Sequence, residues 1–193
     1  MPGSSIGSFE DVSRVSLIEQ CKSVLKAGGT VYLGETHKTE DGRKICCDVL
    51  AGRCVQYLCI EYDSALQQQC SLEELTELIH HQEYSECGHH PPVAMKTVIE
   101  ACTSSGGDVV LVDAQAKHKK NSTKRQNHVR DQIKEYRRKV NRIGRGVLVL
   151  IGADHLKNVD DRDTWKALHE IVYDGLSFVY GKYKNCLMVW QLS

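Results

Sequence analysis

Short apolar runs alternate along this chain with stretches of helical periodicity, and that alternation predicts a fold. Four runs read as strands: Thr30–Leu33, Val55–Ile60, Asp108–Val112 and Val147–Ile151. The second is apolar except for Gln56 and the fourth is apolar throughout, the pattern of strands covered on both faces. Between them lie segments with apolar residues at helical spacing. Glu10–Ala27 carries Val12, Val15, Leu17, Ile18, Cys21, Val24 and Leu25, with Ser8 or Asp11 as cap and Gly28-Gly29 as stop. Arg43–Cys54 places Ile45, Val49 and Leu50 on one face. Ser71 with Glu74 three residues on is a capping box that opens a helix over Leu72–His81.

Glu83–Pro92 is polar and contains Gly88, Pro91 and Pro92, so a long loop is expected there, able to act as a lid. Its histidines and Cys87, with His80 and His81, match no standard zinc spacing. Val93–Ser104 is helical by pattern and stops at Ser105-Gly106-Gly107. Lys117–Arg145 is basic and only weakly periodic, through Val129, Ile133, Tyr136, Val140 and Ile143, which predicts a long exposed helix ended by Gly144 and Gly146. A last helix is expected over about Asp160–Val172, and Ser177–Tyr180 with Asn185–Gln191 alternates like a hairpin. Strands alternating with helices imply an α/β fold: a mostly parallel central sheet with helices on both faces. The C-terminal antiparallel hairpin would add to one edge. Residues 1–9 read as a leader and 10–193 as a single domain.

Charge changes the picture little at first. Lys plus Arg and Asp plus Glu each number 25, and a net charge of zero argues against a chain built as a whole for nucleic acid or anionic membrane. The basic segment reads mainly as a solvated face, and its lack of interleaved aromatics speaks against base stacking, so no nucleic-acid partner is expected. No run approaches the roughly 18 apolar residues of a spanning helix. Met1 to Ser8 has neither a signal-peptide core nor the glycine after Met that myristoylation needs, so a cytoplasmic protein is expected. Nine cysteines, without a CxxC pair, fit reduced thiols that mostly behave as small buried hydrophobes.

The chemistry gathers after the strands. Glu35 and His37 follow the first, Glu61 with Asp63 the second, Asp113 the third, and Asp154 with His155 the fourth. In an open α/β sheet ligands bind outside the carboxyl ends of the strands, so these residues are expected along one edge. Side chains alternate along an extended chain, so Glu35 and His37 should point to one side. Positive charge would come from the basic segment, where Arg130-Asp131, with His128 nearby, stands out.

Gly34-Glu35-Thr36-His37, Arg130-Asp131 and Gly152-Ala153-Asp154-His155-Leu156, in this order and each in βαβ context, resemble the motifs of the erythromycin esterase-like and ChaN-like superfamily, related to the TIKI and TraB proteins. The resemblance spans roughly Val31 to Leu156. It implies Glu35, His37, Glu61, Arg130, Asp131 and His155 as the site; the strand ends and the basic segment add Asp113, Asp154 and His128 as substrate-binding candidates. The family includes esterases, metal-dependent proteases, haem-binding lipoproteins and effector domains. This chain departs from it in being short for an esterase, in lacking a lipoprotein signal, and in following Arg-Asp with Gln132 where a Met is usual.

Three activities follow from that site. As a hydrolase, His37 or His155, oriented by Glu35 or Glu61, would activate water toward an ester, amide or phosphoester, with Arg130 on the oxyanion. No Gly-x-Ser-x-Gly elbow is present to support a covalent route. A divalent metal variant, Zn²⁺ or Mn²⁺, would draw on His37 and His155 with one carboxylate, Glu35 or Glu61. As a non-enzymatic effector, the chain would engage a host protein after delivery by a specialised secretion system. Haem binding is the third alternative.

Overall fold

The computed structural model describes residues 14–35, 41–86, 93–114 and 122–152, together with the backbone of three strands between 168 and 191. In chain order these form α1 (Arg14–Lys26), β1 (Thr30–Glu35), α2 (Asp41–Leu50), β2 (Val55–Asp63), a 3₁₀ turn (Leu66–Gln68), α3 (Leu72–Glu86), α4 (Met95–Ser104) and β3 (Asp108–Asp113). They continue as α5 (Ser122–Lys139), β4 (Gly146–Gly152), β5 (Leu168–Tyr173), β6 (Leu176–Tyr183) and β7 (Cys186–Gln191). The strands make one sheet in the order β3-β2-β4-β1-β7-β6-β5. The four strands β3, β2, β4 and β1 are parallel, β7 runs parallel beside β1, and β6 pairs antiparallel with both β7 and β5. The expected α/β architecture, with its antiparallel addition at one edge, is the one observed.

The sheet separates two apolar layers. On one face Val31, Leu33, Leu58, Ile60, Leu111, Leu148 and Leu150 pack with residues of α1 to α4, including Leu25, Val49, Ile79 and Val98. On the other, Cys59, Val110, Val112, Val147, Val149 and Ile151 pack with Val129 and Ile133 of α5. Alternate residues of one strand feed opposite layers, so the central strands have no polar interior position to spare. Gln56 is polar and buried within β2. Its side-chain oxygen accepts the backbone N–H groups of Asn141 and Arg142, and its amide donates to Asn141 Oδ1 at 2.9 Å.

Several boundaries differ from expectation, each for a visible reason. Helix α5 stops at Lys139 and not near Arg145, because Gln56 takes the next backbone donors and Gly144 turns the chain at φ +75°. Ile143, counted above as part of the helical stripe, lies past the helix and is fully exposed. Helix α3 runs on to Glu86, through the start of the expected loop, since Glu83 continues the Leu75–Ile79 stripe inward. Leu168–Tyr173, assigned above to a helix, is a strand: its Ile171-Val172-Tyr173 end is β-favouring, and pairs such as Ile171 with Phe178 complete the sheet. The expected helix residues 160–167 and the leader lie outside the described residues. The Ser71–Glu74 capping box forms in both directions, at 2.8 and 3.3 Å.

Seven described cysteines are free, and Cys21, Cys46, Cys54, Cys59 and Cys102 are buried in the core as expected. Burial pushes the Cys21 and Cys102 thiols up to about 12, so they stay protonated and inert at neutral pH.

The amino edge of the sheet is closed by one tight contact. Gly146 N–H donates to Cys54 O at 2.9 Å and Val147 N–H to Gly29 O at 3.0 Å, which brings the turns before β1, β2 and β4 together. A Cβ at Gly146 would run into the Gly29 carbonyl oxygen. Gly146→Ala should therefore cost about 3 kcal/mol in urea denaturation, as backbone overpacking does. Gly144→Ala, with nothing within 4 Å of its Cβ, should cost only about 1 kcal/mol of left-handed strain.

Candidate functional site

The four parallel strands end at the same level, and their last residues carry the charges. Glu35 closes β1, Glu61 and Asp63 lie in the last turn of β2, Asp113 closes β3 and Gly152 closes β4. Glu35 and Gly152 are direct ladder partners, as are Asp63 and Asp113. An extra residue in β2 between Ile60 and Asp63 shifts the register beside Glu61, a bulge of the kind that re-aims a side chain at a strand end.

The carboxylates are not clustered. The sheet divides them. Glu35 leaves β1 on the face covered by α1–α4 and meets Arg43 of α2, whose Nε donates to Oε2 at 2.7 Å and Nη2 to Oε1 at 3.3 Å. Arg43 Nη1 donates to Glu83 Oε1 of α3 and to Val93 O, the latter at 2.8 Å. Glu83 Oε2 in turn accepts the Met95 N–H at 2.9 Å, at the first residue of α4. All three side chains are buried, between 4 and 6 % exposed. Burial works against the Arg43 charge, but the charges and hydrogen bonds of Glu35 and Glu83 outweigh it and raise its pKa.

On the α5 face a second arginine plays the same part. Arg125 Nε donates to Asp113 Oδ1 at 2.6 Å, and Nη2 donates to Asp113 Oδ2 and, at 3.0 Å, to Glu61 Oε1. Glu61 Oε2 accepts the Gly152 N–H at 2.7 Å, which ties the end of β2 to the end of β4. Asp113 is buried and also accepts its neighbour's Ala114 N–H at 2.7 Å. The hydrogen bond to Asp113 is the main cause of a raised Arg125 pKa; burial opposes it and the charges of Asp113 and Glu61 add to it. His128, one turn further along α5, has Nε2 3.2 Å from Ser64 Oγ. Asp63 Oδ1 accepts the Ala65 N–H at 3.0 Å, an Asx-type turn.

The expected residues therefore separate into three groups. Glu61 and Asp113 share one arginine, with His128 on the same helix. Glu35 belongs to the other arginine, across the sheet. Arg130 and Asp131 lie near each other, Nε to Oδ1 3.7 Å, and Asp131 is exposed. His37, Asp154 and His155 lie outside the described residues.

Arg43, Glu83 and Arg125 were missed by sequence reasoning, yet each carries a readable mark. Arg125 precedes Val129 by four residues and so heads the buried stripe of α5. Arg43 stands three before buried Cys46 and seven before Leu50, and Glu83 stands four after Ile79. A charged residue that continues an apolar stripe points inward and needs a partner there.

Of the metal candidates, His37 and His155 lie outside the described residues. Glu35 and Glu61 leave the sheet on opposite faces, from strands separated by β4, and each is held by an arginine. A site with two histidines and one carboxylate would use one of them and not both. Among the described residues no group of three His, Cys, Asp or Glu side chains could hold a metal.

No protein-family model matches the chain, and a search of curated proteins finds no match. Among solved structures, that of the type III effector HopBA1 is similar, with a TM-score of 0.51 and 17 % identity over 79 % of this chain and 78 % of that one. At that identity the likeness speaks for a shared fold.

The buried triad is the sharper of the two clusters to test. Arg43→Met should leave Glu35 and Glu83 buried without a counter-charge and cost about 3–5 kcal/mol. Arg125→Met, at a cluster partly open to water, should cost less, about 1–3 kcal/mol. Urea denaturation of the two variants beside the parent protein reads the difference.

Proposed function

We propose that the carboxyl edge of the sheet is a hydrolytic site and that the chain acts as an effector in a host cell. The observation that carries this reading is the ladder pairing of Glu35 with Gly152 on adjacent strands. Neighbouring strands lie about 4.8 Å apart. His37 follows Glu35 by two residues and His155 follows Gly152 by three, so both imidazoles start from one point of the edge, within roughly 10 Å of chain.

In this reading the carboxylates do not act as bases. Glu35, bound to Arg43, and Glu61, bound to Arg125 and to the Gly152 N–H, have oxygens already committed to donors. They are positioning groups that hold the exits of β1 and β4. His37 or His155 would take the proton from water, and the partly exposed Arg125 and Arg130 would meet negative charge developing on an ester, amide or phosphoester. The motifs shared with the erythromycin esterase-like and ChaN-like superfamily support this assignment of the histidines. The fold shared with a type III effector supports delivery into a host cell, where a small molecule or a host protein would be the substrate.

The engagement of Glu35 and Glu61 by arginines favours a second reading, an effector that binds a host protein and catalyses nothing. Turnover separates the two. Purified protein is assayed on nitrophenyl esters, nitrophenyl phosphate and a peptide library, beside His37→Ala and His155→Ala. A hydrolase should lose roughly 10²–10⁴ in rate in either variant, with far-UV circular dichroism unchanged. Absence of turnover on every substrate class, with the fold intact, would leave partner binding.

A further inference from the structure

A group of cations stands at the amino edge of the sheet, opposite the carboxylates. Helix α5 runs from the end of β3 to the start of β4, so its last turns stand at this edge with Arg137, Arg138 and Lys139. Arg142 and Arg145 follow in the turn to β4, and exposed Lys26 and Arg53 precede β1 and β2. The nearby anions are engaged: Glu135 with Lys139 at 2.6 Å, and Asp108 with Arg142 at 3.9 Å.

Two features go beyond a solvated helix end. Lys134, Arg137 and Arg138 line a pocket of about 420 Å³ whose remaining wall is Gly28, Gly29 and Thr30. Among the described residues no acidic side chain lines it, and two glycines leave the backbone bare. Beside it the turn 141–144 projects into solvent, every residue exposed, with Ile143 fully so and nothing within 4 Å of a Cβ placed at Gly144. Last-turn cations complement a helix dipole. The dipole gives no reason for a projecting isoleucine between arginines.

We propose that this edge docks on an anionic lipid surface, with Ile143 entering the headgroup–acyl boundary and the Lys134–Arg137–Arg138 pocket taking a lipid phosphate. An aliphatic tip among cations gains from a bilayer, where the side chain leaves water and the cations meet anionic headgroups. Nucleic acid would use the cations and leave Ile143 in water, and the patch offers no aromatic for stacking. A protein partner would have to receive a convex tip in a matching hollow. No described helix is long and apolar enough to cross a membrane, so the contact is peripheral. Docking here turns the carboxyl edge away from the lipid and toward solvent. The inference rests on the amino edge alone and stands apart from the chemistry proposed at the other.

Co-sedimentation with vesicles of phosphatidylcholine, with and without phosphatidylserine, tests it. The protein should pellet with the serine-containing vesicles only, and less so as salt is raised. Arg137→Gln with Arg138→Gln should lower partitioning by roughly 20-fold or more, at about fivefold for each cation. Lys96→Gln, which removes a cation at the far end of α4, should leave it unchanged. Ile143→Trp should show an added blue-shifted emission on the anionic vesicles. Failure to pellet at low salt would overturn the proposal. So would an unshifted Ile143→Trp emission, or tighter binding to inositol hexakisphosphate, duplex DNA or an acidic peptide than to vesicles.

Discussion

A parallel sheet covered on both faces must bring charged strand ends out of an apolar layer, and this one does so by seating one arginine between two carboxylates. Arg43 joins Glu35 of β1 to Glu83 of α3; Arg125 joins Asp113 of β3 to Glu61 of β2. Each cluster links elements that lie far apart in sequence. Through Glu83 and the Met95 N–H, the first fixes where α4 begins. Through Glu61 and the Gly152 N–H, the second fixes where β4 ends. Lysine could not replace either arginine without loss, because a planar guanidinium presents several donors in fixed directions and an ammonium does not. Replacing a whole cluster with apolar side chains can be neutral for stability, so the clusters matter most for the geometry they impose.

That geometry bears on chemistry. A carboxylate that accepts two N–H groups from a guanidinium offers a poor lone pair to a substrate proton. It is well suited to hold a backbone still. The arginines thus hold the ends of β1 and β4, and in the proposed reading Glu35 and Glu61 are supporting groups. Sequence alone suggested that Glu35 and Glu61 would converge with the histidines. The sheet instead sends them to opposite faces, each toward the helix layer that carries its arginine.

Strand positions and strand-end acids were legible because they depend on local pattern: four apolar runs, each with a carboxylate close behind. The arginines were not, since Arg43 and Glu83 are 40 residues apart and Arg125 and Glu61 are 64 apart. Periodicity names the inward face of a helix but not which strand it lies against. Arg125 could be read as pointing inward from Val129 and Ile133; that it meets β2 and β3 requires the strand order. The end of α5 was misread for a related reason. Val140 and Ile143 extend its stripe in sequence, while the side chain of Gln56, some 85 residues away, captures the backbone beyond Lys139. At Leu168–Tyr173 one short apolar segment fits either period, and pairing with β6 decides it.

Net charge misleads for a similar reason, because it sums over position. The parallel strands all point one way, so whatever follows them gathers at one edge and whatever precedes them at the other. Here carboxylates close the strands and meet Arg43 and Arg125, while α5 carries Arg137, Arg138 and Lys139 to the amino end. At a Debye length of about 8 Å, edges separated by a strand of about 20 Å are electrostatically independent. A neutral total is thus compatible with a strongly basic surface, and the composition that argued against an anionic partner for the chain as a whole does not argue against one for its amino edge. The carboxyl edge, by the same reasoning, lies beyond the electrostatic reach of a surface that the amino edge meets.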